Sequence, residues 1–193
     1  MLRLKLNKFL LKFIGGMLPD RRHPLGNLGN KCRCHFVKHI AKSVGKNCLI
    51  EHGAEVQEDV VLYDHSAVGV NALIQRGTII KGYNMMGPNV HIYTINHKYD
   101  ENLHKFTGYT DVNPVVIGSN TWIGYNVIIL PGVHIGDNSI IGAGSVVTKS
   151  IPAGVMAAGN PCVVKKIIDK EINNGVELDE SSSISCFNES ERS

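Results

Sequence analysis

Aromatic side chains are scarce in this chain: one Trp, six Tyr and five Phe make up 6% of its 193 residues. Lys and Arg are not interleaved with them, and the formal net charge is only +3. A nucleic-acid groove needs a concentrated basic surface with aromatic platforms, so no nucleic-acid partner is expected. Long uncharged apolar runs are missing too, and none approaches the ~18 residues of a membrane-crossing helix. No even set of cysteines is present either. Five at irregular spacing argue against a disulfide framework and for free thiols in a reducing compartment. The apolar fraction of 43% with 20 glycines suits one globular domain.

What the chain does have is a period of six. An aliphatic residue recurs at Val44, Ile50, Val56, Leu62, Val68, Ile74, Ile80, Met86 and Ile92, and again at Ile117, Ile123, Ile129, Ile135, Ile141 and Val147. Glycine often follows it, as at Gly118, Gly124, Gly136 and Gly142, and a small or β-branched residue usually stands four places on. Six is neither the helical 3.6 nor the simple strand period of 2. It fits a solenoid in which each hexad is a short strand plus a corner, stacked into a parallel β-helix. Three hexads per triangular coil predict about five coils over 44–152, interrupted by an extruded polar loop at 98–116.

The flanks read differently. Residues 1–18 alternate basic and apolar side chains, with Arg3, Lys5, Lys8 and Lys12 among Leu, Phe and Ile. Lysines interrupt the apolar stretch and no cleavage site follows, so a signal peptide is not expected. An amphipathic helix fits, packed on the protein or a neighbouring subunit, with a weak membrane-surface contact as the alternative. The chain is accordingly expected in the cytoplasm, or peripheral at the inner membrane surface. Pro19 to Gly29 reads as a linker and Lys31 to Ser43 as a short helix, completing an N-terminal segment of 1–43. Residues 153–176 read as a turn and a short basic helix. Residues 177–193 are acidic and serine-rich, which predicts disorder.

Three blocks carry a more specific resemblance: MMGPNVHIYTINHKYD (85–100), PVVIGSNTWIGYNVIILPGVHIG (114–136) and IIGAGSVVTKSIPAGVMAAGNPCVVKKI (140–167). With the hexads they cover about 44–168. They resemble the hexapeptide-repeat acyltransferases, and within them the sugar O-acetyltransferases of the maltose, galactoside and capsule or exopolysaccharide type. The resemblance implies a left-handed coil, acetyl-CoA as co-substrate without a metal, a sugar or glycan acceptor, and a homotrimer with active sites between subunits.

It also implies roles for particular residues. His97 matches the histidine general base, and imidazole titrates in the range that task needs. Trp122 and Gly124 in TWIG, Ala143 in GAGS, Thr148 and Lys149 in VVTK, and Lys166 on the exit helix match the acetyl-CoA side. The oxyanion contact would come from backbone N–H groups or from Tyr125 in another orientation, because Tyr125 stands where relatives often have a small residue. An acceptor-binding Asn of some relatives has no counterpart near Ser66–Ala67, which leaves Asp64 and His65 as candidates on that corner. Tyr99, Asp100 and Tyr109 on the extruded loop are the other acceptor candidates, since binding residues often sit on loops held by a rigid scaffold. No carboxylate partner for His97 stands out.

Other classes fit less well. A γ-carbonic-anhydrase-type zinc enzyme shares such a fold but needs three imidazoles, and only His91 and His97 are suitably spaced. The run Cys32-x-Cys34-His35 with His39 matches no usual structural zinc pattern. A non-catalytic scaffold remains compatible with the repeat alone. A drug O-acetyltransferase, using the same histidine chemistry, is the nearest rival.

Overall fold

The structure, a computed structural model, describes residues 2–19, 21 and 23–168; the acidic tail expected to be disordered lies outside them. Each hexad forms a two-residue strand and a corner, and three hexads make one coil of a left-handed parallel β-helix. Face I stacks Ser43–Val44, Val61–Leu62, Ile79–Ile80, Val116–Ile117 and His134–Ile135. Face II carries Leu49–Ile50, Ala67–Val68, Met85–Met86, Trp122–Ile123, Ile140–Ile141 and Val155–Ala158, and face III carries Glu55–Val56, Leu73–Ile74, His91–Ile92, Ile128–Ile129 and Val146–Val147. Five coils are complete. A sixth is begun by Ile151, bridged to Ile135, and by Val155–Ala158, so the solenoid runs slightly longer than the hexad count predicts.

Strand alternation explains the period. The second residue of each strand points into the prism, and Ile50, Leu62, Ile74, Ile92, Ile117, Ile129 and Ile141 are all at most 1% exposed. Full burial of each such side chain is worth roughly 1.5–3 kcal/mol, so the ladder is the main source of stability. Each corner turns through a left-handed residue, often Asn, which tolerates that region: Asn47, Asn71, Asn89, Asn120, Asn126 and Asn138 have φ of 53–57°. Buried corner hydroxyls are satisfied locally, as when Ser66 and Ser145 donate to the carbonyls of Tyr63 and Gly142 at 2.6 Å. Glycine after the ladder residue lets coils approach closely. A Cβ on Gly118 would lie 2.6 Å from the backbone N of Asp137 in the next coil.

Two side chains replace missing backbone partners on face II. The buried Asn84 amide bonds both N and O of Ala67 at 3.1 Å, where the ladder between Ala67–Val68 and Met85–Met86 is broken. Asn30 does the same for Cys48 and Ile50 at the open first coil, so the exposed edge is covered.

That end is closed by two helices, α1 (Leu2–Met17) and α2 (Gly26–Lys38). The second starts five residues before the expected Lys31 and stops at Lys38, because the Pro/Gly-rich run supplies the first turn of α2 as well as the connection. Arg33, 1% exposed, ties both helices to the coil: Nε donates to Ile50 O at 2.7 Å, and one terminal nitrogen donates to the carbonyls of Gly15, Leu18 and Pro19 at 3.3 Å. Those carbonyls end α1 without helical partners, so a guanidinium suits them.

Two further expectations are corrected. The extruded segment is a β-hairpin arm: His97–Asp100 pairs antiparallel with Lys105–Tyr109. The exit is no helix over Val163–Ile167 but a strand antiparallel to Val155–Ala158, which covers the edge of face II.

Candidate active site

The three edges of the prism differ in one respect. On the edges from face I to II and from II to III, the residue after the ladder is glycine in most coils: Gly45, Gly118 and Gly136 on one, Gly69, Gly87, Gly124 and Gly142 on the other. On the edge from III to I it is Gln57, Gln75, Tyr93, Leu130 and Thr148, with no glycine at all. That edge therefore projects a row of side chains instead of a closely packed backbone.

His97 lies on it, at the foot of the arm. The cross-strand pairing sets His97 opposite Tyr109, with ring centroids 4.6 Å apart and planes tilted by 34°. Phe106 meets the imidazole edge-on at 5.9 Å and also contacts Tyr99. The imidazole is exposed, and among the described residues no carboxylate or carbonyl hydrogen-bonds to it. In front of it opens a groove of about 460 Å³ built by three successive coils: Gln57 and Glu58, then Gln75 and Arg76, then Tyr93 and His97, with Tyr109 from the arm. The amide oxygens of Gln57 and Gln75 accept from the backbone N–H of Arg76 and Thr94 at 3.3 and 2.9 Å. Their NH₂ ends are what the amides offer to the groove. Arg76 pairs with Glu58 at 3.1 Å, and Lys8 of α1 takes the other carboxylate oxygen. The Lys8 hydrogen bond first, and then the Lys8 and Arg76 charges, hold the Glu58 carboxyl below its ordinary range.

Sequence reading missed this wall of Gln57, Glu58, Gln75 and Arg76. The missing glycine at every third hexad is the signal that marks it.

The other anticipated residues fall into groups. Thr148 and Lys149 are exposed on the His97 edge, two coils further along, or about 10 Å at the usual strand spacing. Gly124 and Ala143 are adjacent on the edge from II to III, where a Cβ on Gly124 would come within 2.6 Å of Ala143 N. Trp122 stands 50% exposed on face II between Met85 and Ile140, close in sequence to the exposed Tyr125. Lys166 is on the margin of face II, paired in register with Met156. Within one chain, Trp122 and Lys166 therefore face away from His97.

Asp64 and His65 occupy the third edge, from I to II, and have local tasks there. Asp64 accepts the Lys46 N–H at 2.8 Å, and His65, at φ 60°, stacks on Tyr83 of the next coil at 4.6 Å. Asp100 accepts the N–H groups of Asn102 and Leu103 and so shapes the tip of the arm.

Thiolate chemistry is disfavoured at Cys34, Cys48 and Cys162. Cys34 is pushed up to about 11, chiefly by burial and then by neighbouring Cys48, and burial also raises Cys48 and Cys162. Among the described residues no group of three or more His, Cys, Asp or Glu is placed to hold a metal ion.

Residues 114–149 match the family model described as bacterial transferase hexapeptide (six repeats). The chain is 37% identical over 144 residues to the galactoside O-acetyltransferase of Escherichia coli, covering 70% of this chain and 69% of that one. A solved maltose O-acetyltransferase from Clostridium difficile superposes with a TM-score of 0.61 at 32% identity, covering 87% of this chain and 89% of that chain. A galactoside acetyltransferase solved in complex with coenzyme A gives 0.63 at 28% identity, covering 93% and 85%.

Proposed function

The chain belongs to the hexapeptide-repeat acyltransferases, and we propose that it transfers an acetyl group from acetyl-CoA to a hydroxyl of a sugar or glycan intermediate. The observation that carries this reading is the position of His97. An exposed imidazole sits at the foot of the arm, at one end of a groove walled by amides and an Arg–Glu pair, in a chain similar to galactoside and maltose O-acetyltransferases. Amide and guanidinium donors beside a carboxylate suit the hydroxyls of a sugar, which both donate and accept.

In the proposed reaction His97 takes the proton from the acceptor hydroxyl as its oxygen attacks the thioester carbonyl. Backbone N–H groups hold the oxyanion, and the C–S bond then breaks. CoA leaves as thiolate and regains a proton from the imidazolium. The raised Cys34, Cys48 and Cys162 thiols take no part. Thr148 and Lys149 extend the same edge away from the groove, where Lys149 suits a phosphate of the nucleotide as a point charge.

Trp122, Gly124, Ala143 and Lys166 come from other parts of the prism, so they can join His97 only from a second chain. The proposed enzyme is therefore a cyclic trimer with its sites between subunits. The exposed apolar group of Tyr83, Met85, Trp122 and Tyr125 beside face II is a surface that such pairing would cover.

A CoA-release assay with acetyl-CoA tests the reading. Release is expected with galactosides, maltose or glycan intermediates and not with a panel of hydroxylated drugs. Release with drugs alone would make this a xenobiotic acetyltransferase, and no release with any hydroxyl acceptor would sink the proposal.

A further inference from the structure

Charge is divided very unevenly along the chain. Residues 1–42 hold ten Lys and Arg against a single acid, Asp20, and the remaining residues hold ten against sixteen. The first segment thus carries a net +9 and the rest −6, and the basic part is the helical cap. Some of that charge is used internally. Lys8 and Lys12 pair with Glu58 and Glu55, and Arg33 is buried against backbone carbonyls. Arg3, Lys5, Arg21, Lys31 and Lys38 remain on the surface of the cap, and neither α1 nor α2 contains a carboxylate.

The α1 helix is apolar on two opposite sides. Asn7, Leu11 and Gly15 face the protein and are buried. On the other side Leu2, Leu6, Phe9, Phe13 and Met17, spaced four, three, four and four apart, form one stripe and are 53–83% exposed. Phe9 and Phe13 stack on each other at 5.7 Å, turned outward. At 100° per residue Lys5 falls on one margin of the stripe and Arg3 on the other. The helix is 16 residues long, and among the described residues no helix is long and apolar enough to cross a membrane.

We propose that this cap docks α1 flat onto an anionic lipid bilayer, with the Leu2–Met17 stripe inserted among the headgroups and Arg3 and Lys5 against the lipid phosphates. An apolar stripe of this length bordered only by cations has the pattern of an interfacial helix, and anionic lipid adds attraction for each nearby Lys or Arg. A second copy of the chain fits the stripe less well. Its exposed apolar group of Tyr83, Met85, Trp122 and Tyr125 lies on the third and fourth coils, away from the capped end. Because Lys8 and Arg76 share Glu58, docking also holds the Glu58 end of the His97 groove toward the bilayer. The inference does not depend on which acceptor the enzyme uses.

Vesicle flotation of the full chain tests it, with phosphatidylcholine alone or mixed with phosphatidylglycerol. Wild-type protein is expected to float with the mixed vesicles and at least ~5-fold less with the neutral ones. Phe9→Ser with Phe13→Ser, and separately Arg3→Glu with Lys5→Glu, should each cut flotation about 10-fold. Mass by light scattering and CoA release with a water-soluble acceptor should stay unchanged, which separates failure of docking from failure of the acetyltransferase reading. Wild-type protein that stays at the bottom of the gradient, or flotation indifferent to both variants, overturns the proposal. A Phe9/Phe13 variant that falls apart into smaller species also overturns it, because the stripe would then be a contact between copies.

Discussion

An imidazole on the surface of a rigid prism is an ordinary sight, and what distinguishes His97 is how the backbone holds it. It is the first residue of the arm, fixed by pairing with Tyr109 and flanked by the Tyr109 and Phe106 rings. Those rings restrict the imidazole without filling the groove, so one face of it remains for an acceptor. Removing it should cost chemistry and little else. His97→Ala is expected to lower kcat by about 10²–10⁴, the usual size of a lost general base, with the KM for acetyl-CoA and the thermal midpoint nearly unchanged. Steady-state kinetics on the purified, intact assembly check this. Turnover near wild type would remove His97 from the mechanism. His97 could be singled out from the sequence because a motif surrounds it. Gln57, Gln75 and Arg76 could not, since each lies in a different coil and only stacking brings them together. Asp64 and His65 are candidates only through their nearness in sequence to Ser66–Ala67, and the stacking puts them on another edge.

At the level of elements, the hexads were legible because each ladder position has one requirement, an aliphatic side chain that fills the prism. The arm and the ends obey no such period. Polar residues between 98 and 116 announce an excursion, but its hairpin depends on pairing that spans an irregular register between Lys98 and Tyr99. The exit strand Val163–Ile167 likewise forms because face II offers it an edge, which its Lys-rich sequence does not disclose. The arm has little besides its own hairpin to hold it: residues 101–111 are all exposed, including Phe106, Tyr109 and Leu103 at 57–70%. Exposed aromatic groups beside the proposed base His97 are better explained by an acceptor than by stability. Replacing residues 99–108 with a short Gly/Ser turn keeps Tyr109 and should leave the assembly and the KM for acetyl-CoA intact. The kcat/KM for the sugar should fall at least ~10-fold, about 1.4 kcal/mol of lost transition-state binding. Unchanged kcat/KM would pass the specificity role to the Gln57 and Gln75 wall.

For the whole molecule, the distribution of residues over three edges is the informative fact. Composition and period reveal a solenoid but neither its hand nor its assembly, because a ladder of isoleucines fills a coil of either sense. One chain presents His97 on one edge and Trp122 on the opposite face. Two chains can bring them together, and a three-fold ring would do so three times with identical contacts. This gives a test that does not rely on mass alone. His97→Ala and Trp122→Ala should each be impaired as pure assemblies. If every site takes its histidine from one subunit and its tryptophan from the next, an equal mixture refolded together regains wild-type pairs at about a quarter of its sites. Activity should rise toward that fraction only when light scattering shows mixed trimers. Mixed trimers without recovery would mean that both residues serve the same chain, and a fully active monomer would dispose of the shared site altogether. Recovery would also explain why the edge from face III to face I dispenses with glycine. Its projecting side chains would then meet a substrate and a neighbouring subunit, whereas glycine on the other two edges lets successive coils pack closely.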